Sequence, residues 1–353
     1  MRVLVWHWGR HGAGPRFAVE LAAGLAALPG IFAVLSLATD AEILRVAEPP
    51  ECAFPVATYG GVPGLAWRVL TGPVLRRRVG RALEILRPDL AVCAMPAALD
   101  PFMLSVLRRH GVPSAVIAHD AVPHPGDHVL LRGLLERHVL RRADAIGTLS
   151  SHVAAQLAAR PALRGKKFLA LSHPPFGFGP MPAPRAHGGP LRVLNFGRLR
   201  AYKGLQLLAD ALSCGTPEWD VRVVGQGPES PALAALRGLP GVRVENRWVP
   251  ESEIPEVLGW ADVVVLSHVA ASQSGVAAAA LGAGRFVVAT EVGGIGAQLR
   301  DMPGVILCPP EPVSLAAALR GVADAAIPSR VDAAAAWRAM AASLLEQVGD
   351  TPK

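Results

Sequence analysis

One pattern constrains this chain more than any other: an apolar run, a glycine-containing loop and an apolar helix follow one another twice. Near the N-terminus, the run Val3–Trp6 leads through a loop with three glycines into the Ala/Leu-rich segment Phe17–Leu28. After residue 190, the run Leu191–Phe196 leads through Gly197 into the segment Leu205–Leu212. A strand, a glycine-rich loop and a helix in this order open a parallel doubly wound sheet. The chain is therefore predicted to be an α/β protein with two such sheets.

The remaining apolar segments fit the same alternation. Short apolar runs predict strands at Phe32–Leu37, Leu90–Met95, Ser114–Ala118, Ala145–Leu149, Val221–Val224, Val242–Glu245, Val263–Leu266 and Phe286–Thr290. Ala- and Leu-rich segments predict helices at Pro73–Leu86, His128–Arg142, Pro231–Leu236, Glu253–Leu258 and Val276–Leu281. Strands that alternate with helices are typical of parallel sheets covered on both faces.

Two domains follow from the length and from one segment that breaks regular structure. The 353 residues are too many for one ordinary core, and the segment 173–190 is rich in proline and glycine, which predicts a linker. We expect domains at 1–180 and 181–332, with a helix over about 333–349 that packs back on the first domain. Because ligands of doubly wound sheets bind at the carboxyl ends of the strands, the loops of both sheets are expected to face an interdomain cleft.

The positive charge is concentrated in the first half. The net charge of +7 is made up of +8 over residues 1–180 and −1 over residues 181–353. Its densest group is Arg76, Arg77, Arg78 and Arg81, beside apolar residues such as Val74. Such a face is either a solvated surface or a site for anionic lipid headgroups or a pyrophosphate-bearing acceptor. Nucleic acid is not expected as a partner, because no reading helix or aromatic stacking positions accompany the charge.

Cysteine spacing indicates the compartment. The four cysteines are far apart and form no Cys-x-x-Cys pair, which predicts neither a zinc site nor a disulfide framework. A reducing cytoplasm fits this pattern, and the N-terminal apolar run is too short for a signal peptide. We therefore expect a cytoplasmic protein, located at the inner face of the cytoplasmic membrane if its basic face binds lipid.

The strongest chemical signal lies between residues 195 and 204. Two cations, Arg198 and Lys203, follow a predicted strand and precede a predicted helix. The helix dipole disfavours cations at a helix start, so their presence there indicates an anionic ligand. A planar guanidinium and a mobile ammonium together suit a diphosphate, whose negative charge grows as its bond to a sugar breaks.

Three further segments follow predicted strands. Gly225 and Gly227 would let a base or a ribose approach the backbone. The segment Ser272–Gly275 precedes an Ala-rich helix, whose first N–H groups can bind an anion. His119 and Asp120 stand at the end of a strand in the first half.

Together these segments resemble the retaining glycosyltransferases of family 4, or glycosyl transferases group 1, over nearly the whole chain. The likeness is most specific in FGRLRAYKGLQLLADAL (196–212), which is similar to the family's Gly-Arg-Leu and Lys-Gly segment. The family's later segments follow in its order as VVGQGPE (223–229), WVPESEIPEVLGWADVVVLS (248–267) and ALGAGRFVVATEVGG (280–294). The resemblance implies the two-domain GT-B fold and transfer of a hexose, with retention of its anomeric configuration, from a nucleotide sugar.

The resemblance also implies roles for individual residues. The catalytic residues would be Arg198 and Lys203, which hold the donor diphosphate, and His119, which lies beside the transferred sugar. Asp120 and His124 would lie on the acceptor side. The donor-binding residues would be Gly12, Ala13, Gly14, Gly197, Gly225, Gly227, Val249, Gln273, Ser274, Gly275 and Val276.

The same resemblance implies the substrates. The donor would be linked to UDP or GDP and would bind without a metal, although a cluster such as His119, Asp120 and His124 could also suggest a metal site. The acceptor would be a glycan or a lipid-linked glycan in cell-envelope or exopolysaccharide synthesis.

One departure from the family leaves alternatives open. The family commonly has two glutamates eight positions apart, and these positions are occupied here by Ala271 and Ala279. Some relatives have a Ser-Gln-Ser-Gly segment instead, as this chain has at Ser272–Gly275. The alternatives are a non-catalytic GT-B-like binding subunit, and an epimerase or phosphorylase of the same fold.

Overall fold

The computed structural model describes residues 1–121, 129–214 and 219–349. The chain forms two compact units. The first holds the described residues up to Ser172 together with the C-terminal helix, and the second holds those from His173 to Ala333. Each unit contains one six-stranded sheet in which the paired strands are parallel.

The first sheet has its opening strand inside rather than at an edge. Its strands are β1 (Arg2–His7), β2 (Phe32–Leu37), β3 (Leu90–Cys93), β4 (Ser114–Ala118), β5 (Ala145–Thr148) and β6 (Lys167–Ala170), in the spatial order β2-β1-β3-β4-β5-β6. Val5 of β1 lies between Leu35 and Val92 in register. Every residue of β3 and β4 is buried, as expected for central parallel strands with helices on both faces.

The helices of the first unit connect these strands. They are α1 (Ala13–Ala26), α2 (Gly61–Leu70), α3 (Gly72–Leu86), α4 (Asp100–Arg109), α5 (Val129–Arg142) and α6 (Ser151–Ala158). Short 3₁₀ turns occupy Glu42–Arg45 and Pro161–Leu163.

The second sheet repeats this plan. Its strands are β7 (Leu191–Phe196), β8 (Trp219–Gly225), β9 (Val242–Asn246), β10 (Val263–Leu266), β11 (Phe286–Thr290) and β12 (Val305–Cys308), in the order β12-β11-β10-β7-β8-β9. Its helices are α7 (Leu205–Ser213), α8 (Pro231–Arg237), α9 (Ile254–Trp260), α10 (Gly275–Gly282), α11 (Ile295–Leu299) and α12 (Pro312–Gly321). Short 3₁₀ turns occupy Ala201–Lys203 and Glu251–Glu253.

The last helix, α13 (Ala333–Gly349), belongs to the first unit. Its Trp337 is 1% exposed, and the indole meets the Phe17 ring edge-on with 4.8 Å between the ring centroids. A Cβ on Gly24 would lie 2.6 Å from the Trp337 carbonyl oxygen, so this crossing of α1 and α13 requires glycine.

The segment 173–190 contains neither helix nor strand. Its first residues are not a solvated spacer, because His173–Phe176 are buried and the Phe176 N–H donates to the Ala278 carbonyl oxygen at 3.1 Å. The two units divide between Ser172 and His173, ahead of the boundary that the sequence predicted at residue 180.

The predicted doubly wound α/β architecture is confirmed. The elements that the sequence did not predict are β6, β12, α2, α4, α6, α11 and α12. The two missed strands are four residues long, lie at sheet edges and are only partly buried, so their hydrophobic signal is weak. Within the described ranges, no helix is long and apolar enough to cross a membrane.

Candidate active site

The strand order defines one position in each sheet where a ligand can reach the backbone. In a doubly wound sheet, the connections leave in opposite directions on either side of the first strand, which opens a crevice at the carboxyl ends. This point lies between β1 and β3 in the first sheet and between β7 and β10 in the second. The polar residues described next lie at the carboxyl ends of these strands or of strands beside them.

In the first unit, two buried imidazoles lie at the carboxyl ends of the strands. His7 ends β1, and its Nδ1 donates to the Met95 carbonyl oxygen at 2.8 Å. His119 follows β4, and its Nε2 donates to the neighbouring Ala94 carbonyl oxygen at 2.8 Å. The Phe17 ring meets His119 edge-on with centroids 4.7 Å apart. Two consecutive carbonyls after β3 therefore fix both rings.

Burial keeps both rings neutral. It lowers the pKa of His7 to about 4, against the hydrogen bond to Met95, and proximity to the His119 imidazole lowers it further. Burial also lowers the pKa of His119, although its hydrogen bond to Ala94 and the charge of Asp120 oppose this. In neutral rings with these hydrogen bonds, the lone pair is on Nε2 of His7 and on Nδ1 of His119.

The loop from residue 9 to residue 14 is wrapped around His7. A Cβ at either Gly9 or Gly14 would overlap the His7 ring at Nε2, so both positions require glycine. Gly12 has a φ of +80°, a left-handed conformation that favours glycine, and a Cβ there would meet nothing within 4 Å. The three predicted residues Gly12, Ala13 and Gly14 thus form the start of α1 at this edge.

Ion pairs and a buried carboxylate hold the loops around the imidazoles. Arg10 donates to Asp40 at 3.1 Å, and His11 lies 2.8 Å from a Glu42 carboxylate oxygen. On the other side, the fully buried Asp100 accepts from the Ala97 N–H at 2.6 Å. It also accepts from the Trp6 indole at 3.0 Å, and burial raises its pKa to about 6. Asp100 thereby fixes the turn that presents the Ala94 and Met95 carbonyls.

In the second unit, the two predicted cations flank one aromatic ring. The Arg198 guanidinium carbon lies 5.9 Å from the centroid of Tyr202, and Lys203 Nζ lies 5.6 Å from it. Lys203 Nζ also lies 2.8 Å from Nε2 of His268, which follows β10. Lys203 donates in this contact, so His268 accepts as a neutral ring. The structure therefore joins the loops after β7 and β10, the two strands that meet at the switch point.

Arg198 and Lys203 lie in the loop formed by residues 197–204, which is called the cation loop below. Close backbone contacts hold this loop in place. The Ser267 hydroxyl donates to the Lys203 carbonyl oxygen at 2.9 Å, and a Cβ on Gly204 would collide with the Ser267 carbonyl oxygen. On its other side, Cβ atoms on Gly225 and Gly227 would collide with the carbonyls of Gly197 and Leu199. Two of the predicted donor-binding glycines, Gly225 and Gly227, are thus positions where two backbones touch.

The start of α10 completes the group in the second unit. The Ser274 hydroxyl accepts from the Ala277 N–H at 3.2 Å and caps the helix. Gln298 fixes the Ser274 backbone, accepting from its N–H at 2.7 Å and donating to its carbonyl oxygen at 3.0 Å. A Cβ on Gly197 would lie 3.2 Å from Val276 Cγ2, so the α10 start adjoins the cation loop.

The other predicted positions are placed as follows. Asp120 follows His119 directly and is half-buried, whereas His124 lies outside the described residues. Val249 is buried beyond the end of β9, Gln273 is half-buried, and Gly275 is the first residue of α10. The two alanines at the family's glutamate positions, Ala271 and Ala279, are both buried.

Three polar residues at these edges escaped the sequence reasoning: His7, Arg200 and His268. Arg200 directly follows Leu199 in the cation loop. Its Nε is buried and has no hydrogen-bond acceptor among the described residues. Their positions could have revealed the two histidines. His7 is the last residue of β1 and His268 follows β10, and these strands flank the two switch points. Among the described residues, no three His, Cys, Asp or Glu side chains are grouped as a metal site would need.

Family comparisons agree with this geometry. Residues 12–167 match the family described as glycosyl transferase 4-like domain, and residues 190–324 match glycosyl transferases group 1. The chain belongs to the group 1 glycosyl transferases, and the predicted family is confirmed.

One curated relative and several solved structures are similar to this chain. A 2-deoxystreptamine glucosyltransferase from Streptomyces kanamyceticus is 29% identical over 285 residues, covering 74% of this chain and 66% of that protein. The fold is shared with Anabaena HepE in complex with UDP and glucose (TM-score 0.68, 18% identity, 99% of this chain and 100% of that one). It is also shared with sucrose-phosphate synthase from Thermosynechococcus elongatus (TM-score 0.66, 17% identity, 99% and 94%).

The glycine–imidazole packing generates a prediction. Gly14→Ala should lower the free energy of unfolding by about 1–3 kcal/mol, because its methyl group overlaps the His7 ring. In a His7→Ala background the same change should be neutral or stabilising, since alanine is the better helix former. Urea unfolding of the wild type, the two single variants and the double variant measures the coupling between positions 7 and 14. Gly60→Ala is the control, because a Cβ there meets nothing within 4 Å. If Gly14→Ala lowered the free energy of unfolding equally with His7 present and absent, the methyl group would not be overlapping the His7 ring.

Proposed function

We propose that this protein is a retaining glycosyltransferase that moves a hexose from a UDP- or GDP-linked donor to a glycan or lipid-linked acceptor. The observation that carries the proposal is the placement of Arg198 and Lys203 around Tyr202 at the switch point of the second sheet. The family membership supports it, as does the name of the curated relative, a glucosyltransferase.

The donor diphosphate would be held by the cation loop. Arg198 is exposed and Lys203 is half-buried, so both ammonium and guanidinium groups can reach a ligand from their loop. The buried Arg200 Nε offers a further donor in the same loop. Helix α10 begins against Gly197, and its capped first turn with no acidic residue favours an anion there.

The chemical step then needs little more than charge stabilisation. The bond between the sugar's anomeric carbon and the diphosphate oxygen breaks, and negative charge develops on the leaving phosphate beside Arg198 and Lys203. The acceptor hydroxyl forms the new bond on the face that the diphosphate leaves, which retains the anomeric configuration. Because the acceptor hydroxyl attacks directly, no enzymic nucleophile is required. Its proton passes to the leaving phosphate oxygen, so no enzymic base is required either.

The histidine in the first unit would act by hydrogen bonding. His119, whose Nε2 donates to the Ala94 carbonyl oxygen, would lie beside the transferred sugar and help to orient it and the acceptor. Asp120 would lie on the acceptor side. The four cysteines are all free, which fits synthesis on the cytoplasmic side, in cell-envelope or exopolysaccharide assembly.

The reaction itself provides the first test. UDP-glucose is the first donor to examine, followed by other UDP- and GDP-hexoses ranked by thermal shift, since a ligand of the native state raises its stability. With a glycan or aminocyclitol acceptor, NMR should show a product with the donor's anomeric configuration. An inverted product would remove the retaining mechanism, isomerised donor without acceptor would indicate an epimerase, and donor binding without any product would indicate a binding subunit.

The cation pair provides a second test. Arg198→Ala or Lys203→Ala should lower kcat by roughly two to three orders of magnitude, about 3–4 kcal/mol of transition-state stabilisation. The melting temperature should stay near that of the wild type, because both side chains lie in a loop. Arg243→Ala, which removes an exposed ion pair with Asp220, is the matched control and should leave kcat unchanged. Wild-type turnover in both cation variants would rule out this mechanism.

Metal independence provides a third test. Turnover should persist in excess EDTA, since cationic side chains take the place of a metal at the diphosphate. The assay compares initial rates with EDTA alone and with EDTA followed by Mg²⁺ or Mn²⁺. Loss of activity on chelation and its return with a divalent ion would assign a catalytic metal instead.

A further inference from the structure

Helix α2 has an unusual combination of composition and exposure. Its ten residues include a single charged one, Arg68, yet none of the ten is buried. The side chains of Val62, Trp67 and Leu70 are 80%, 64% and 75% exposed. A helix with so little polar surface is normally buried in a core or in lipid. Leu65 packs against the core of the first unit, and Arg68 donates to the Thr58 carbonyl oxygen at 2.7 Å. Among the described residues, the opposite face with Val62, Trp67 and Leu70 stays exposed.

The apolar surface continues into α3, where arginines join it. Val74 is 66% exposed in the first turns of α3. Arg77, Arg78 and Arg81 follow, all exposed, with the buried face of the helix formed by residues such as Leu83. Apolar side chains and cations therefore share one solvent-facing surface.

Beside these arginines lies a basic groove. A cavity of about 460 Å³ lies between α3 and α4. The ionisable side chains that line it are Arg76, Arg77, Arg81, Arg109, His110 and a single acid, Glu84. The Arg76 guanidinium stacks on Phe102 at 5.1 Å, and its buried Nε has no hydrogen-bond acceptor within the part of the chain that the structure describes. A smaller cavity of about 220 Å³ continues the basic lining with Arg108 and Arg142.

We propose that α2, α3 and this groove form a docking surface for anionic membranes. In this arrangement α2 lies in the interface plane, with Trp67 and Leu70 at the boundary between headgroups and acyl chains. The arginines of α3 and the groove bind lipid phosphates, for which guanidinium groups have the matching geometry.

Charge complementarity selects a lipid surface over other occupants. Tryptophan beside arginine suits the region where one side is apolar and the other carries phosphates. A second copy of this chain would bring the same arginines against each other, which like-charge repulsion disfavours. The inference uses no residue of the candidate donor site, so it is independent of the proposed reaction.

Vesicle co-sedimentation tests the proposal with the full chain. The protein should bind vesicles of phosphatidylcholine with phosphatidylglycerol at low salt, bind them more weakly at high salt, and ignore pure phosphatidylcholine. The triple variant Arg77→Glu, Arg78→Glu, Arg81→Glu should lower the partition coefficient at least about a hundredfold. Trp67→Ser with Leu70→Ser should lower it at least about tenfold.

A matched control separates local from net charge. Arg243→Glu, Arg300→Glu and Arg320→Glu change the net charge equally but replace exposed arginines of the second unit, and this variant should keep most of its binding. The replaced side chains are all exposed, so the circular dichroism spectrum should match that of the wild type in every variant. Arg78 donates to the Pro55 carbonyl oxygen, and in the control Arg243 and Arg300 pair with Asp220 and Glu291, so both triple variants lose surface contacts. Their melting temperatures are therefore compared with each other. Equal losses in both triple variants would overturn the proposal.

Tryptophan fluorescence tests the depth of docking. Anionic vesicles should shift the emission to shorter wavelength, and Trp67→Phe should remove the shift while binding persists. Absence of vesicle binding at low salt would overturn the proposal. So would a concentration-dependent dimer, seen by analytical ultracentrifugation and abolished by Trp67→Ser, because it would assign the surface to a second copy of the chain.

Discussion

A parallel sheet brings the carboxyl ends of all its strands to one edge, and every feature of the candidate site depends on this polarity. The switch point between β1 and β3 places His7 beside the Ala94–Met95 carbonyls, and the one between β7 and β10 places Lys203 beside His268. Residues far apart in the chain meet there because the connections diverge on either side of the first strand. Fold and chemistry are thus coupled through strand order.

Electrostatics divide between the two units. In the first, His7 and His119 are held by backbone carbonyls in a buried setting that lowers their pKa, so they serve as neutral hydrogen-bonding groups. In the second, the side chains of Arg198 and Lys203 lie within 6 Å of the centroid of the Tyr202 ring, whose face attracts cations. The proposed function assigns the sugar and its acceptor to the unit with the neutral rings, and the diphosphate to the unit with the cations.

Backbone contacts give the loops their precision. The imidazole of His7 fills the space that side chains at Gly9 and Gly14 would need, and Gly225 meets the Gly197 carbonyl directly. Since a methyl group at any of these positions overlaps its neighbour, each loop is held by steric fit as well as by hydrogen bonds. This also explains the glycines that strand-to-loop transitions share in both halves of the chain.

The sequence by itself determined the two doubly wound units, because periodic apolar runs and glycine loops are local signals, and it determined the cation pair Arg198 and Lys203 through their spacing. Only the tertiary structure decided which strand ends are neighbours. It brought His268 to Lys203 across 65 residues and His7 to Met95 across 88, pairings that no local pattern encodes. It also left Val62, Trp67 and Leu70 of α2 exposed, because the exposure of an apolar side chain depends on what the rest of the fold covers.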